Sequence, residues 1–218
     1  NNTKLTGDMQ IDEYYLSINL KGTKPENMPR KSKPRKTHGT GTRGISKHKV
    51  CVLSGKDSLD SIVFEVAGVG NVTSNMIKEY LVPKIEKPNK VITDCKSSYE
   101  SVAIDYNWNL KQVKSSGYID DEGNNLAEIN GLHSELTLFL SQFHGVSTKH
   151  LQEYLDWFAF DKYLNYGFKY LDQPEEFEKN TITKKTEIIY NNVCDNHSIL
   201  DFKEIYVDYN YHPSNSTT

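Results

Sequence analysis

The sequence predicts an α/β domain, on three observations: three β-prone segments come first, helix and strand then alternate, and two amphipathic helical stretches close the apolar part of the chain. With 218 residues, 36% of them hydrophobic, the chain can bury one sizeable core. One main domain is therefore expected over residues 1–170, followed by a polar extension over 171–218 whose last ten residues read as disordered.

Residues 9–19 (MQIDEYYLSIN) are rich in Ile, Tyr and Leu and predict the first strand. A long basic loop is expected over 20–46, where Lys, Pro and Gly dominate. Residues 49–70 (KVCVLSGKDSLDSIVFEVAGVG) hold two β-prone runs around a Gly/Lys/Asp turn, the pattern of a hairpin. Cys51 falls in the core of this segment, and the Gly68/Gly70 pair reads as a turn fragment, no nucleotide fingerprint.

Thr73 or Ser74 caps a predicted helix through Val82, with Met76, Ile77, Tyr80 and Leu81 on one face and Pro83 as its stop. A short strand (KVITD, 90–94), a helix from Ser97 or Ser98 toward Tyr106 and another strand (LKQVKS, 110–115) follow. Leu126, Ile129, Leu132, Leu136, Phe139 and Phe143 recur at steps of three and four, which predicts an amphipathic helix over 124–143. Gly145 ends it, Ser147 caps the next helix (148–165), and one further strand is expected at 186–192. Tyr14, Tyr15, Trp108, Trp157 and Phe158 read as core aromatics.

No run of 18 apolar residues occurs, and the N-terminal segment has no basic stretch leading into an apolar one; a soluble, cytoplasmic chain is expected. Cys51, Cys95 and Cys194 are too few and too scattered for a disulfide framework or structural zinc, and His133, His144 and His150 match no common zinc spacing. The net charge is only −3, but between Lys21 and Lys49 ten residues are Lys or Arg and only Glu26 is acidic. Such a run is either a solvated loop or a contact to the DNA backbone; Lys47, His48 and Lys49, with Lys96, are the candidate phosphate partners.

Asp12 interrupts an apolar strand and Asp94 ends another, positions where a carboxylate is costly unless it is paired or binds a cation. At about 100° per residue, Asn130, His133 and Thr137 form one polar row on the helix over 124–143, while Glu128 and Glu135 lie on the opposite border. Carboxylate and amide oxygens of this kind suit two hard divalent cations, Mg²⁺ or Mn²⁺, in an in-line phosphoryl transfer. On periodicity alone, Asn130 is equally a solvated helix residue and His133 a packed boundary residue.

The succession IDEYY, VITDCKSSY and INGLHSELTLFLSQFHGVSTKHLQEYLDWF resembles the DDE-superfamily insertion-sequence transposases, in the group whose triad is often Asp, Asp and Asn or Glu. The resemblance spans about residues 8–165 and is most distinctive at GVSTKHLQEYLDWF. It implies a ribonuclease H-like mixed five-stranded sheet with flanking helices, and catalytic metal ligands at Asp12, Asp94 and Asn130. It also implies hydrolytic nicking and strand transfer at element ends, by a homo-oligomer on DNA. His133 is expected beside Asn130, orienting a phosphate or a water.

Many relatives carry a Lys or Arg a turn or two after the third ligand, where this chain has Glu135 and Thr137. They also carry an end-recognition module ahead of the first catalytic strand, so a fragment or decayed copy is a further expectation. Two alternatives stay open on the same residues: a stand-alone ribonuclease H-like nuclease, which cuts without joining, and a DNA-binding or oligomerising remnant without catalysis.

Overall fold

A computed structural model describes residues 3–24, 49–114 and 119–170. Strands β1 (Leu5–Ser17), β2 (Lys49–Asp57) and β3 (Ile62–Val69) come first, then a short helical segment opening with α1 (Ser74–Met76). Strand β4 (Ile85–Asp94), helix α2 (Ser97–Tyr106), strand β5 (Leu110–Val113) and helices α3 (Ala127–Ser141) and α4 (Leu151–Tyr170) complete the order. The strands form one sheet, β3-β2-β1-β4-β5, in which β1 is antiparallel to β2 and parallel to β4. This is the mixed five-stranded sheet with flanking helices of the ribonuclease H-like class.

Each face of the sheet covers its own core, as strand alternation requires. On one face Val50, Val52, Phe64, Val66 and Ile92 pack against Ile129, Leu132 and Leu136 of α3 and Leu155 and Phe158 of α4. On the other, Leu5, Met9, Ile11, Cys51 and Leu53 pack against Ile77, Leu81 and the α2 residues Tyr99 and Val102. Full burial of side chains this size is worth about 1.5–3 kcal/mol each. The apolar period seen in residues 124–143 is the face of α3 that seals the first core.

Several expectations change. The hairpin reverses at 58–61 and not at Gly55–Asp57, which continue β2. The buried Asp57 carboxylate makes this turn by accepting N–H groups from Leu59 and Ser61 at 2.9 and 2.8 Å and from Thr6 at 3.0 Å. Gly55 is needed inside the strand, because a Cβ there would stand 2.4 Å from Leu5 Cδ1.

Second, Thr73 does cap the helix after β3, its hydroxyl accepting from Met76 N at 3.3 Å, but the helix is not regular to Val82. Ile77–Leu81 is a π-type turn closed by Val82 N–H on the Ile77 carbonyl, and Val82–Lys84 is a 3₁₀ turn. Pro83 has no N–H to continue the ladder, and the chain turns extended at Ile85, so the segment ends there. Third, Gly68 lies within β3 beside a register shift, and Trp157 is 52% exposed where a core position was expected. Phe158, its neighbour, is the core residue. The expected strand at 186–192, Cys194 and most of the basic loop lie outside the described residues.

Candidate active site

Strand pairing places the two aspartates. The last β1–β4 pair is Gln10 with Ile92, and the same parallel register carried two residues on sets Asp12, within β1, level with Asp94 at the end of β4. Alternation then separates their neighbours. Gln10, Asp12 and Tyr14 face α3: Gln10 Oε1 accepts from Ile129 N at 3.0 Å, and the Tyr14 hydroxyl bonds Thr137 Oγ1 at 2.7 Å. Ile11 and Glu13 face α2.

Asp12, Glu13 and Asp94 nevertheless converge, each offering a carboxylate oxygen within 4.8 Å of the others. Glu13 is buried, and both of its oxygens are occupied: Tyr99 OH donates to Oε2 at 3.1 Å, and Lys96 Nζ pairs with Oε1. Burial, then the facing Glu13 carboxylate, pushes the Tyr99 phenol well up, so it stays a donor. Lys96 Nζ also reaches Asp94 Oδ2 at 2.8 Å, while Gln112 Nε2 donates to the Asp94 and Lys96 carbonyls at 3.2 and 3.3 Å.

Two features mark a deficit of positive charge. The Asp94 Oδ1 atom is buried without a hydrogen-bond partner. The Asp12 carboxyl is pushed up to about 7, first by burial and then by Glu13 beside it, with Lys96 only partly opposing. A hard divalent cation held by Asp12 and Asp94 would satisfy the one and lower the other, and an all-oxygen donor set is what such a cation selects. The residues present therefore fit a divalent cation.

His133 stands over Asp12. Its Nε2 lies 2.6 Å from Ser54 Oγ, and its Nδ1 lies 3.9 Å from Asp12 Oδ2. Burial pulls its pKa down to about 4, so the ring is neutral near pH 7 and brings no charge to a phosphate. Asn130 sits one turn earlier on α3. Helix geometry puts it about 60° round from His133, on the border opposite Glu128, which pairs with Lys56 of β2. Asn130 is half-buried there, on the same border of α3 as His133, which bonds Ser54 of β2.

Of the candidate DNA contacts, Lys96 joins the site. Lys49 does not: it begins β2 opposite Ser17, whose hydroxyl it bonds at 2.9 Å, five strand positions from the Ser54–Asp12 pair. Lys47 and His48 lie outside the described residues. Sequence reading missed Glu13, Ser54 and Tyr99. Glu13 carried a signal, since it continues the buried face of Met9 and Ile11 at period two; Ser54 and Tyr99 carried none beyond β-strand and helix placement.

Residues 4–162 match the family described as ISXO2-like transposase domain. No curated protein matches the chain.

Proposed function

Because this chain belongs to the ISXO2-like transposase domain family, we propose that it cuts DNA at insertion-sequence ends and joins the freed 3′-hydroxyl to target DNA. The family implies use of a divalent metal; in this reading Asp12, Asp94 and Asn130 hold two Mg²⁺ or Mn²⁺ ions. Bound there, the cations supply activation of the attacking hydroxyl and stabilisation of the leaving oxygen. The chain's own residues do the rest. Asp12 and Asp94 set the anionic floor of the site, Asn130 adds a neutral carbonyl oxygen, and Lys96 offers an ammonium to the scissile phosphate.

The observation that carries this reading is the buried Asp94 Oδ1, unpartnered beside the crowded Asp12 carboxyl. The basic stretch 21–49 supplies backbone contacts, and end pairing calls for a homo-oligomer on DNA. Among the described residues no helix is long and apolar enough to cross a membrane.

The experiment is a nicking and joining assay on labelled DNA carrying the element's own ends, with Mg²⁺ or Mn²⁺, for the native chain, Asp12→Ala and Asp94→Asn. Joining that needs the metal and both aspartates supports the reading. DNA binding without cleavage by the native chain overturns it in favour of a non-catalytic remnant, and cleavage without joining favours a nuclease.

A further inference from the structure

The hydrogen bonds around His133 fix its tautomer. Ser54 Oγ lies 2.8 Å from the Asp12 carbonyl oxygen and 2.6 Å from His133 Nε2. A carbonyl only accepts, so the single hydroxyl hydrogen of Ser54 goes to Asp12. The short contact to Nε2 then requires that Nε2 carries a hydrogen and donates it to Ser54. Nδ1 then faces Asp12 and, 3.9 Å from Oδ2, makes no hydrogen bond with it, which leaves its lone pair free on the Asp12 side.

The same argument locks the ring from behind. Thr137 Oγ1 donates to the His133 carbonyl at 2.8 Å, so the Tyr14 hydroxyl must be the donor in its 2.7 Å bond to Thr137. The Tyr14 ring packs on the imidazole at 5.2 Å between centroids. Ser54 is fully buried and the His133 side chain is 12% exposed, so neither group has water in place of these partners.

The bare Nδ1 stands 3.9 Å from Asp12 Oδ2, too far for a direct hydrogen bond. A hydroxyl oxygen about 2.8 Å from Nδ1 can donate its one hydrogen to the ring there, with Asp12 Oδ2 alongside. We propose that His133 Nδ1 accepts a hydrogen bond from the attacking hydroxyl, water in nicking and the 3′-hydroxyl in joining, and that Ser54 is the positioning residue that holds the ring in the required tautomer. This rests on the strand-transfer reading above and adds to it an assigned orienting group for the nucleophile. The ring acts as an acceptor that aims the oxygen lone pair at phosphorus.

The test pairs a spectrum with kinetics, on the full chain with ¹⁵N-labelled histidine. Long-range proton–nitrogen spectra are expected to show His133, assigned by its loss in His133→Asn, as the Nε2–H tautomer, with the Nδ1 resonance moving on addition of Mg²⁺. Ser54→Ala is expected to mix the tautomers. Two variants then separate the two nitrogens: His133→Asn keeps an acceptor at the level of Nδ1, whereas His133→Gln keeps an amide at the level of Nε2.

At saturating DNA the nicking rate constant is expected to fall about tenfold or more further in His133→Gln than in His133→Asn, with KM little changed. An Nδ1–H tautomer, an Nδ1 signal indifferent to Mg²⁺, or His133→Gln nicking at the native rate overturns the proposal. In the last case, native cleavage that is lost in Asp94→Asn leaves the strand-transfer reading standing. A native chain that cleaves nothing removes that reading, and this inference with it.

Discussion

Lys96 Nζ lies 2.8 Å from Asp94 Oδ2, two residues along the same chain, and its other contact is the buried Glu13 carboxylate. A single ammonium thus occupies one oxygen of Asp94 while the other has no partner. Lysine and a metal compete for the same negative charge, although the lysine is also suited to meet a phosphate.

Lys96→Met is therefore expected to tighten Mn²⁺ binding by about three- to tenfold at low salt, since it removes a positive charge from a partly screened site. The same variant is expected to nick DNA more slowly. Electron paramagnetic resonance titration of Mn²⁺ checks the first effect, and single-turnover nicking the second. Unchanged or weaker Mn²⁺ binding would show that Lys96 organises the carboxylates and does not compete for them.

Burial of the Asp12 carboxyl costs stability. Its folded value of about 7 stands above the ordinary 3.8, so between these the folded state keeps a proton that the unfolded state has lost. Stability of the metal-free protein should fall as pH rises from about 4 to about 7. Asp12→Asn removes this loss and is expected to raise metal-free stability at pH 8 by roughly 1–3 kcal/mol, with little gain at pH 4. Thermal melts at the two pH values measure it. Added Mg²⁺ should stabilise the native chain and not the variant.

Tyr99→Phe leaves Glu13 Oε2 buried without its donor. A hydrogen bond to a charged group is worth about 1.5–3 kcal/mol, and a loss of that size is expected in denaturant unfolding. Because Lys96 still holds Oε1, the metal affinity should change little.

Gly55→Ala sets a methyl against the end of the Leu5 side chain, which is fully buried. Overpacking of this kind costs about 1–3 kcal/mol. Leu5→Ala combined with Gly55→Ala should lose less than the sum of the two single changes, which a double-mutant cycle reads directly.

Much of this was legible in the chain because period and chemistry agreed. The apolar steps from Leu126 to Phe143 locate α3, and the carboxylates at Asp12 and Asp94 mark strand positions that ordinary packing would fill with Val or Ile. The hairpin turn was misplaced because Gly55 and Asp57 look like turn residues in sequence. In the fold, Gly55 makes room for Leu5, and Asp57 organises a turn that begins after it.

Lys96 was identified by proximity to Asp94, but its second partner, Glu13, was not. Two residues adjacent in a strand point to opposite faces, so nothing local says that Asp12 and Glu13 approach one another at the strand end. The Ser54–His133 bond joins residues 79 positions apart and depends on the β1–β2 register, which the sequence does not specify.

Direct binding of the cation by Asp94, as proposed above, is tested by exchange of its oxygens for sulfur. Asp94→Cys is expected to be inactive with Mg²⁺, which binds thiolate poorly, and to recover nicking when the more thiophilic Mn²⁺ or Cd²⁺ replaces it. A folded Asp94→Cys protein that nicks equally well in Mg²⁺, or stays equally inactive in all three metals, would contradict the assignment.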